Sequence, residues 1–397
     1  MGHFQRAGLA VSLLACFCGG AAADEKVKIG FITDMASNYA DADGKNGALA
    51  IQMAIDDFGG KVLGKPIELL TADHQQKADV AVSKARDWID NQDLTMLVGG
   101  TNSSVALALA KLAADKKRVY MVNGAGTSLL TNEQCNPYTV HYAYDTVALA
   151  KGTAGAIVDQ GGKDWFFLTV DYAFGTAMEK DAAKVIEAKG GRVLGSVRHP
   201  INASDFSSFL LQAQNSKAKI LALANGGGDT INAVKAAKEF GIDKTMKMAA
   251  MMIFITDIQG LGLKTAEGLM FTTSWYWDLN EQTRAFGRKF FAKTKRMPSD
   301  LQAADYSSVM TYLKAVQAAK TTDADAVMAK IKSLPINDFY GQGRVRPDGR
   351  FAHDMYLMQV KAPAESKEPW DYFKLLAKLP PEQVWTTKAE SKCSLWQ

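Results

Sequence analysis

The sequence predicts an α/β protein of two Rossmann-like lobes, each with a mostly parallel sheet covered by helices, joined by a three-crossing hinge around a ligand cleft. Three observations lead there. From residue 28 onward, short β-rich apolar runs alternate with segments of helical periodicity, which is the pattern of repeated βα units and a parallel sheet. The alternation breaks at 129–144 and then begins afresh, so a chain of 397 residues divides into two such units instead of growing one oversized core. Several strands end in loops of Gly, Ser, Thr and Asn, the composition suited to a binding crevice beyond the strand ends.

The first lobe opens with a strand at 28–33. A helix at 46–58 follows, with Ala48, Ile51, Ile55 and Phe58 on one face and a stop at Gly59-Gly60. A strand at 67–71 and a helix at 78–90 lead to the stretch around which the lobe is organised. There the apolar Met96-Leu97-Val98 meets Gly99-Gly100-Thr101-Asn102-Ser103-Ser104, and a helical pattern continues through Val105, Leu107, Ala110, Lys111 and Ala114. The glycines let the backbone turn sharply, and Asn102, Ser103 or Ser104 can cap the helix. Its N-terminus offers unpaired N–H groups and roughly half a positive charge, so a ligand carboxylate can bind there without Arg or Lys. An ordinary capped helix is the alternative. After a strand at 118–122, the loop Asn123-Gly124-Ala125-Gly126-Thr127-Ser128 presents a second such surface to the same crevice.

Residues 138–144 read as the first crossing between lobes. The second lobe then runs through a helix at 147–160, a strand at 165–170, helix 176–189, strand 192–197, helix 206–215, strand 220–224 and helix 230–240. Its strands also end in small or polar loops, Asp171-Tyr172-Ala173-Phe174-Gly175 and Asn225-Gly226-Gly227-Gly228-Asp229. Residues 268–273 read as another crossing, because helices at 282–295 and 301–319 follow without strands for a third lobe. A late strand at 356–360 comes after the turn Arg346-Pro347-Asp348-Gly349. The resulting division is 24–143 plus 273–354 for the first lobe and 144–272 plus 355–397 for the second.

Residues 1–23 have the form of a secretory leader: Arg6, an apolar run at 7–17 too short to span a bilayer, and the small residues Ala21-Ala22-Ala23. The mature chain then starts at Asp24. Leu13-Leu14-Ala15-Cys16 also fits a lipoprotein cleavage box with Cys16 as the lipidated residue, and both readings export the protein. Loss of Arg6 changes 46 basic and 42 acidic residues to 45 and 42, a net charge of +3. With no dense basic stripe, this argues against a nucleic-acid partner. Of four cysteines, Cys135 and Cys393 survive processing. In an oxidising compartment an isolated pair is most simply a disulfide, the alternative being two free buried thiols.

No G-x-S-x-G elbow, phosphate loop or HExxH motif occurs, and neither Gly226-Gly227-Gly228 nor Gly341-Gln342-Gly343 makes a dinucleotide fingerprint. The histidines are scattered, and Asp73-His74 places its two side chains on opposite sides of a strand end. Tyr172 and Phe174 can project together toward the cleft or pack beneath their loop. Trp275-Tyr276-Trp277 follows the second crossing; three consecutive aromatics predict at least one at a surface, the hinge or the cleft rim.

In this order and spacing the chain resembles the periplasmic branched-chain amino-acid (Leu/Ile/Val)-binding family, the type I solute receptors of bacterial ABC importers. The likeness rests on Lys28-Ile29-Gly30-Phe31, Asn46-Gly47-Ala48 leading to Ile55-Asp56-Asp57, Leu63-Gly64-Lys65-Pro66-Ile67, the Gly99 loop, the Asp171 loop, Asp205-Phe206-Ser207 and Gly341-x-Gly343. It implies that Ser103, Ser104, Ala125, Gly126 and Thr127 grip the ligand carboxylate through hydroxyl and backbone N–H groups, and that Phe174, with Tyr172 beside it, supplies the aromatic contact. Two departures concern the ligand. Where the amino-acid binders carry an aromatic, this chain has Asn225-Gly226-Gly227-Gly228; where they carry a glutamate for the ammonium, the nearest match is Met251-Met252-Ile253-Phe254. A buried ammonium without a carboxylate partner is costly, so an α-amino-acid ligand is disfavoured. Asn225, Gly226, Met251 and Met252 complete the expected ligand set, the glycines widening the cleft and the methionines making it apolar and adaptable.

The resemblance implies a monomeric periplasmic solute-binding subunit of an ABC importer. Its partners would be a small carboxylate-bearing solute, an amino acid or a related organic or aromatic acid, and the membrane permease subunits. No cofactor or metal is expected. A ligand-sensing receptor of the same fold is the alternative; a cleft enzyme would need a titratable pair facing the cleft, which the sequence does not assemble.

Overall fold

The structure is a computed structural model that describes residues 1–3 and 25–397. The expected leader cleavage after Ala23 and the alternative at Cys16 lie outside the described residues. No described helix is long and apolar enough to cross a membrane.

The first lobe is built from β1 (Val27–Thr33), α1 (Gly44–Asp57), β2 (Lys61–Val62), β3 (Lys65–Asp73), α2 (Ala78–Gln92), β4 (Leu94–Gly99), α3 (Ser103–Asp115), β5 (Val119–Val122) and β6 (Thr139–His141). Its sheet runs in the order β2-β3-β1-β4-β5-β6 and is parallel apart from β2, which forms a short hairpin with β3. Met96, Leu97 and Val98 of β4 are all fully buried, as expected of a parallel strand covered on both faces. Gly99 then turns the chain at φ 103°, where a Cβ would lie 2.8 Å from the Ile32 carbonyl oxygen, so only glycine fits.

The second lobe follows with α4 (Thr146–Leu149), α5 (Gly155–Asp159), β7 (Asp164–Val170), α6 (Ala173–Ala188), β8 (Arg192–His199), α7 (Ser207–Asn215), β9 (Ile220–Ala224), α8 (Gly228–Glu239), β10 (Lys247–Ala250), α9 (Ile255–Leu261), α10 (Leu263–Ala266) and β11 (Met270–Thr273). The single helix expected at 147–160 is interrupted by a π turn, Ala150–Ala154. Close packing accompanies it: a Cβ on Gly152 would sit 2.3 Å from Thr272 Oγ1, and Thr153 Oγ1 lies 2.9 Å from the same hydroxyl. The chain returns to the first lobe for α11 (Glu281–Thr294), α12 (Asp300–Ala319), α13 (Ala324–Ser333) and a small antiparallel sheet of β12 (Ile336–Asn337), β13 (Gln342–Val345) and β14 (Phe351–Ala352). Strands β15 (Met355–Val360) and β16 (Phe373–Leu379) complete the second sheet, whose order is β16-β15-β11-β10-β9-β7-β8.

Both segments expected as crossings begin as strands. Thr139–His141 is the edge strand of the first sheet and Met270–Thr273 an interior strand of the second, so each crossing comes a few residues later. Trp275, Tyr276 and Trp277, at the second crossing, are all buried, and each has a partner for its polar atom: Trp275 Nε1 donates to Phe339 O, and Tyr276 OH and Trp277 Nε1 to Trp370 O. The tail, expected with the second lobe, bridges the two after α14 (Pro381–Val384). Lys151 donates to Trp385 O, whereas Trp385 Nε1 donates to His353 O, Arg346 to Thr386 O, and Lys392 Nζ pairs with Glu133. Cys393 is joined to Cys135 by a disulfide, with Cα atoms 5.7 Å apart.

Candidate functional site

The C-terminal ends of the parallel strands in the two sheets face one another. The loop after β1 meets the loop after β9, the loop after β5 meets the start of α6, and the first crossing meets the loop after β10. Four aromatic side chains and Met252 gather where they meet. Tyr39 and Tyr172 place their hydroxyls 2.7 Å apart across the crevice, Tyr144 OH donates to Gly124 O at 2.8 Å and lies 3.3 Å from Met252 Sδ, and Phe174 packs beside Tyr172. Gly126 is held between rings: a Cβ there would come within 2.9 Å of Phe174 and 3.1 Å of Tyr144.

Beneath the two first-lobe loops lies a buried polar network. His74 Nε2 lies 3.2 Å from Thr101 Oγ1, Thr101 Oγ1 lies 3.1 Å from Thr33 Oγ1, and Thr33 donates to Asp43 Oδ2. Asn123, at the start of the second loop, donates to Asp305 Oδ1 at 2.7 Å. Among the described residues, Asp43 Oδ1 and Asp305 Oδ2 have no partner outside the pair, and both lie against Gly47, where a Cβ would stand 2.2 and 2.6 Å from them. Facing carboxyls that are both fully buried share a proton. Burial raises Asp43 to about 6, and burial plus the Asp43 charge holds Asp305 well above the usual carboxylate range. His74 is neutral because burial lowers it to about 4, and its partner is Thr101, which gives the Asp73-His74 pair a structural part.

The second loop is also held from the hinge. Arg350, fully buried, pairs with Asp145 Oδ2 at 2.9 Å and donates to His141 O and His141 Nδ1. Burial and the Arg350 charge keep His141 neutral, so its Nε2 carries the proton and donates to Ala125 O at 2.6 Å.

The expected ligand residues fall into three groups. Ser103, Ala125, Gly126, Thr127, Phe174 and Met252 are buried where the loops meet: Ser103 touches Thr127, Gly126 lies against Phe174 and Tyr144, and Met252 touches Tyr144. Ser103 Oγ accepts the Thr127 N–H at 3.2 Å, tying the two loops together, and Asn102 Oδ1 already caps α3 by accepting from Ser104 N and Val105 N. Asn225 turns its side chain within its own lobe, contacting His199 Nε2 at 3.0 Å and accepting from Thr230 at 2.7 Å; Met251 is fully buried.

The glycines are a correction. Gly226, Gly227 and Gly228 do not widen the cleft; they let the first lobe come close. A Cβ on Gly226 would lie 3.3 Å from Tyr39 Cε1 of the first lobe, besides 2.1 Å from Met252 Cε of its own lobe, and one on Gly227 would lie 2.2 Å from Asn38 O. Asn38 Nδ2 donates to Gly226 O, while Asn38 O and Oδ1 accept from the N–H groups of Gly228 and Asp229. Sequence reasoning missed Asn38, Tyr39, Tyr144 and the Asp43–Asp305 pair. The first two follow the end of β1, the topological position that singled out the other loops.

The acidic groups nearest the crevice are engaged by the protein itself, Asp34, Asp229 and Asp257 within their own lobes and Asp300 at the second crossing. Asp34 accepts from Ser37 and Tyr39 N, which outweighs burial and holds it below the usual range; Asp229 accepts from Asn202 N and Ala203 N, Asp257 from Phe254 N, and Asp300 from Thr273 and Ser274. A separate groove of about 1050 Å³ runs beside the crevice, lined by Val147, Ala156, Ala177, Leu379 and Val384, and none of the expected ligand residues borders it.

Two α/β lobes that aim strand-end loops at a hinged crevice define a bilobal solute-binding protein. Residues 26–367 match the family described as periplasmic binding protein, and the chain belongs to it. It is similar to a periplasmic binding protein from Burkholderia mallei, with 64% identity, TM-score 0.93, and 94% of this chain and 100% of that one covered. A branched-chain amino-acid ABC transporter periplasmic ligand-binding protein from Burkholderia xenovorans is 39% identical, with TM-score 0.84 and the same coverage. An ABC-transporter solute-binding protein from Rhodopseudomonas palustris, in complex with 3,4-dihydroxybenzoic acid, shares the fold at 23% identity and TM-score 0.81, covering 90% of this chain and 98% of its own. The chain is thus a periplasmic binding protein of the ABC-transporter kind, a family that binds small solutes and works with membrane permeases.

Proposed function

We propose that the protein captures an aromatic or larger apolar carboxylate lacking an ammonium group, closes its lobes on it, and presents it to permease subunits of an ABC importer. On this reading it works in the periplasm as a monomer, after removal of its leader. The observation that carries the reading is the meeting of Tyr39, Tyr144, Tyr172 and Phe174 with the Gly/Ser/Thr loops around Ser103 and Thr127. Rings suit an aromatic body, and loop hydroxyls and N–H groups suit a carboxylate. The engagement of Asp34, Asp229 and Asp257 within their own lobes, and of Asp300 at the second crossing, supports a solute without an ammonium, which would otherwise need one of them. The bound ligand of the R. palustris protein is of this class; the B. xenovorans relative favours an amino acid instead. Calorimetric titration decides between them: 3,4-dihydroxybenzoate is expected to bind and leucine to bind weakly or not at all, whereas micromolar binding of leucine would sink the proposal.

A further inference from the structure

We infer that Asn38 is a positioning residue for solute capture: from the first lobe it caps helix α8 of the second, and so sets how strongly the lobes favour the closed arrangement. The inference rests on the reading of the crevice as a solute site that closes.

Helix α8 starts without a cap of its own. Gly227 occupies the N-cap position at φ 58° and has no side chain to offer. The first N–H groups of a helix have no intrahelical partner, and a side-chain oxygen normally accepts from one of them. Here both come from the opposite lobe: Gly228 N donates to Asn38 O at 3.1 Å and Asp229 N to Asn38 Oδ1 at 2.9 Å, while Asn38 Nδ2 returns a bond to Gly226 O at 3.0 Å.

The glycines make this approach sterically feasible. At Gly227 a Cβ would collide with the Asn38 carbonyl at 2.2 Å, and at Gly228 one would reach within 2.9 Å of Asn38 Oδ1. Opening the lobes breaks all three bonds and the Tyr39–Tyr172 contact at once, returning the α8 terminus to water. Asn38 therefore adds to affinity through closure, without having to touch the solute.

Two substitutions attack the cap from opposite sides. Asn38→Ala removes both side-chain bonds. Gly228→Ala pushes Asn38 Oδ1 away from within α8 and, because alanine is the better helix former, leaves stability unchanged or raises it. Each is expected to weaken binding of 3,4-dihydroxybenzoate by about 5- to 30-fold, the usual worth of an N-cap read as affinity.

Small-angle X-ray scattering of the full mature protein without added ligand supplies a readout independent of the probe. Both variants are expected to show a larger radius of gyration than the unmodified chain, with Gly228→Ala melting no lower than it. Identical scattering for all three proteins overturns the proposal, whatever the probe does. If 3,4-dihydroxybenzoate fails to bind even the unmodified protein, the solute reading falls and the scattering comparison still decides the role of Asn38.

Discussion

Replacing Asp305 by asparagine should make the protein more stable at alkaline pH. In the native state the Asp43–Asp305 pair keeps a proton that each residue would lose near pH 4 once unfolded, because Asp305 is held well above its ordinary value by burial and by Asp43. A carboxyl raised in the folded state contributes stability that is fully present below its unfolded pKa and is lost as pH rises toward its folded one. One retained proton corresponds to a slope of at most about 1.4 kcal/mol per pH unit, so stability should fall as pH rises above about 7.5, and by no more than that slope, until Asp305 ionises in the folded state. In that window the buried histidines are silent. Burial lowers His74 and His353 to about 4 and also lowers His141 and His199, so all four are neutral in the folded state across this range. Asp43, Asp229 and Asp300, raised to about 6 chiefly by burial, have already ionised, and Asp257, raised to about 7 by burial, finishes ionising at the lower end of this range in both proteins alike. An asparagine at 305 can donate its amide to Asp43 Oδ1 and keep its oxygen for Asn123, replacing the shared proton with one that does not titrate. Thermal melts of Asp305→Asn and the unmodified protein across this range should give a flatter profile for the variant and a higher melting temperature at pH 9. Parallel profiles would refute the shared proton.

Two further outcomes concern the frame around the crevice. Cys135→Ser opens a covalent loop spanning 258 residues and should cost roughly 2–4 kcal/mol of stability, read as a lowered melting temperature, with solute affinity little changed since neither cysteine borders the crevice. Arg350→Met leaves Asp145 buried without its cation and should cost about 3–5 kcal/mol, of which the double variant with Asp145→Leu should recover part. Equal losses in single and double variants, measured by thermal melting, would contradict a buried ion pair at that position.

Much of the fold was legible locally. The strand at 220–224 coincides with β9, and most of the helices and strands named from periodicity lie within a few residues of their observed bounds, because parallel strands buried on both faces read as unbroken apolar runs. The short pieces were not legible. Lys247–Ala250 and the two- to four-residue strands of the small sheet carry too few residues to show a period.

The site divides in the same way. Loops that announce themselves by composition do come together, Ser103 Oγ accepting from Thr127 N and Phe174 packing against Gly126. The meaning of the glycines was not legible, because it depends on Asn38, 188 residues away in sequence from Gly226. Asp43 and Asp305 likewise look like ordinary surface acids in the sequence; only the absence of a side chain at Gly47 brings their oxygens together.

A structure of the mature protein with 3,4-dihydroxybenzoate bound tests the account most directly. The carboxylate is expected against the loops carrying Ser103 and Thr127, and the ring among Tyr144, Tyr172 and Phe174, with Asn38 still on the start of α8. A ligand lodged instead in the groove lined by Val147, Ala177 and Val384, with the crevice empty, would contradict it.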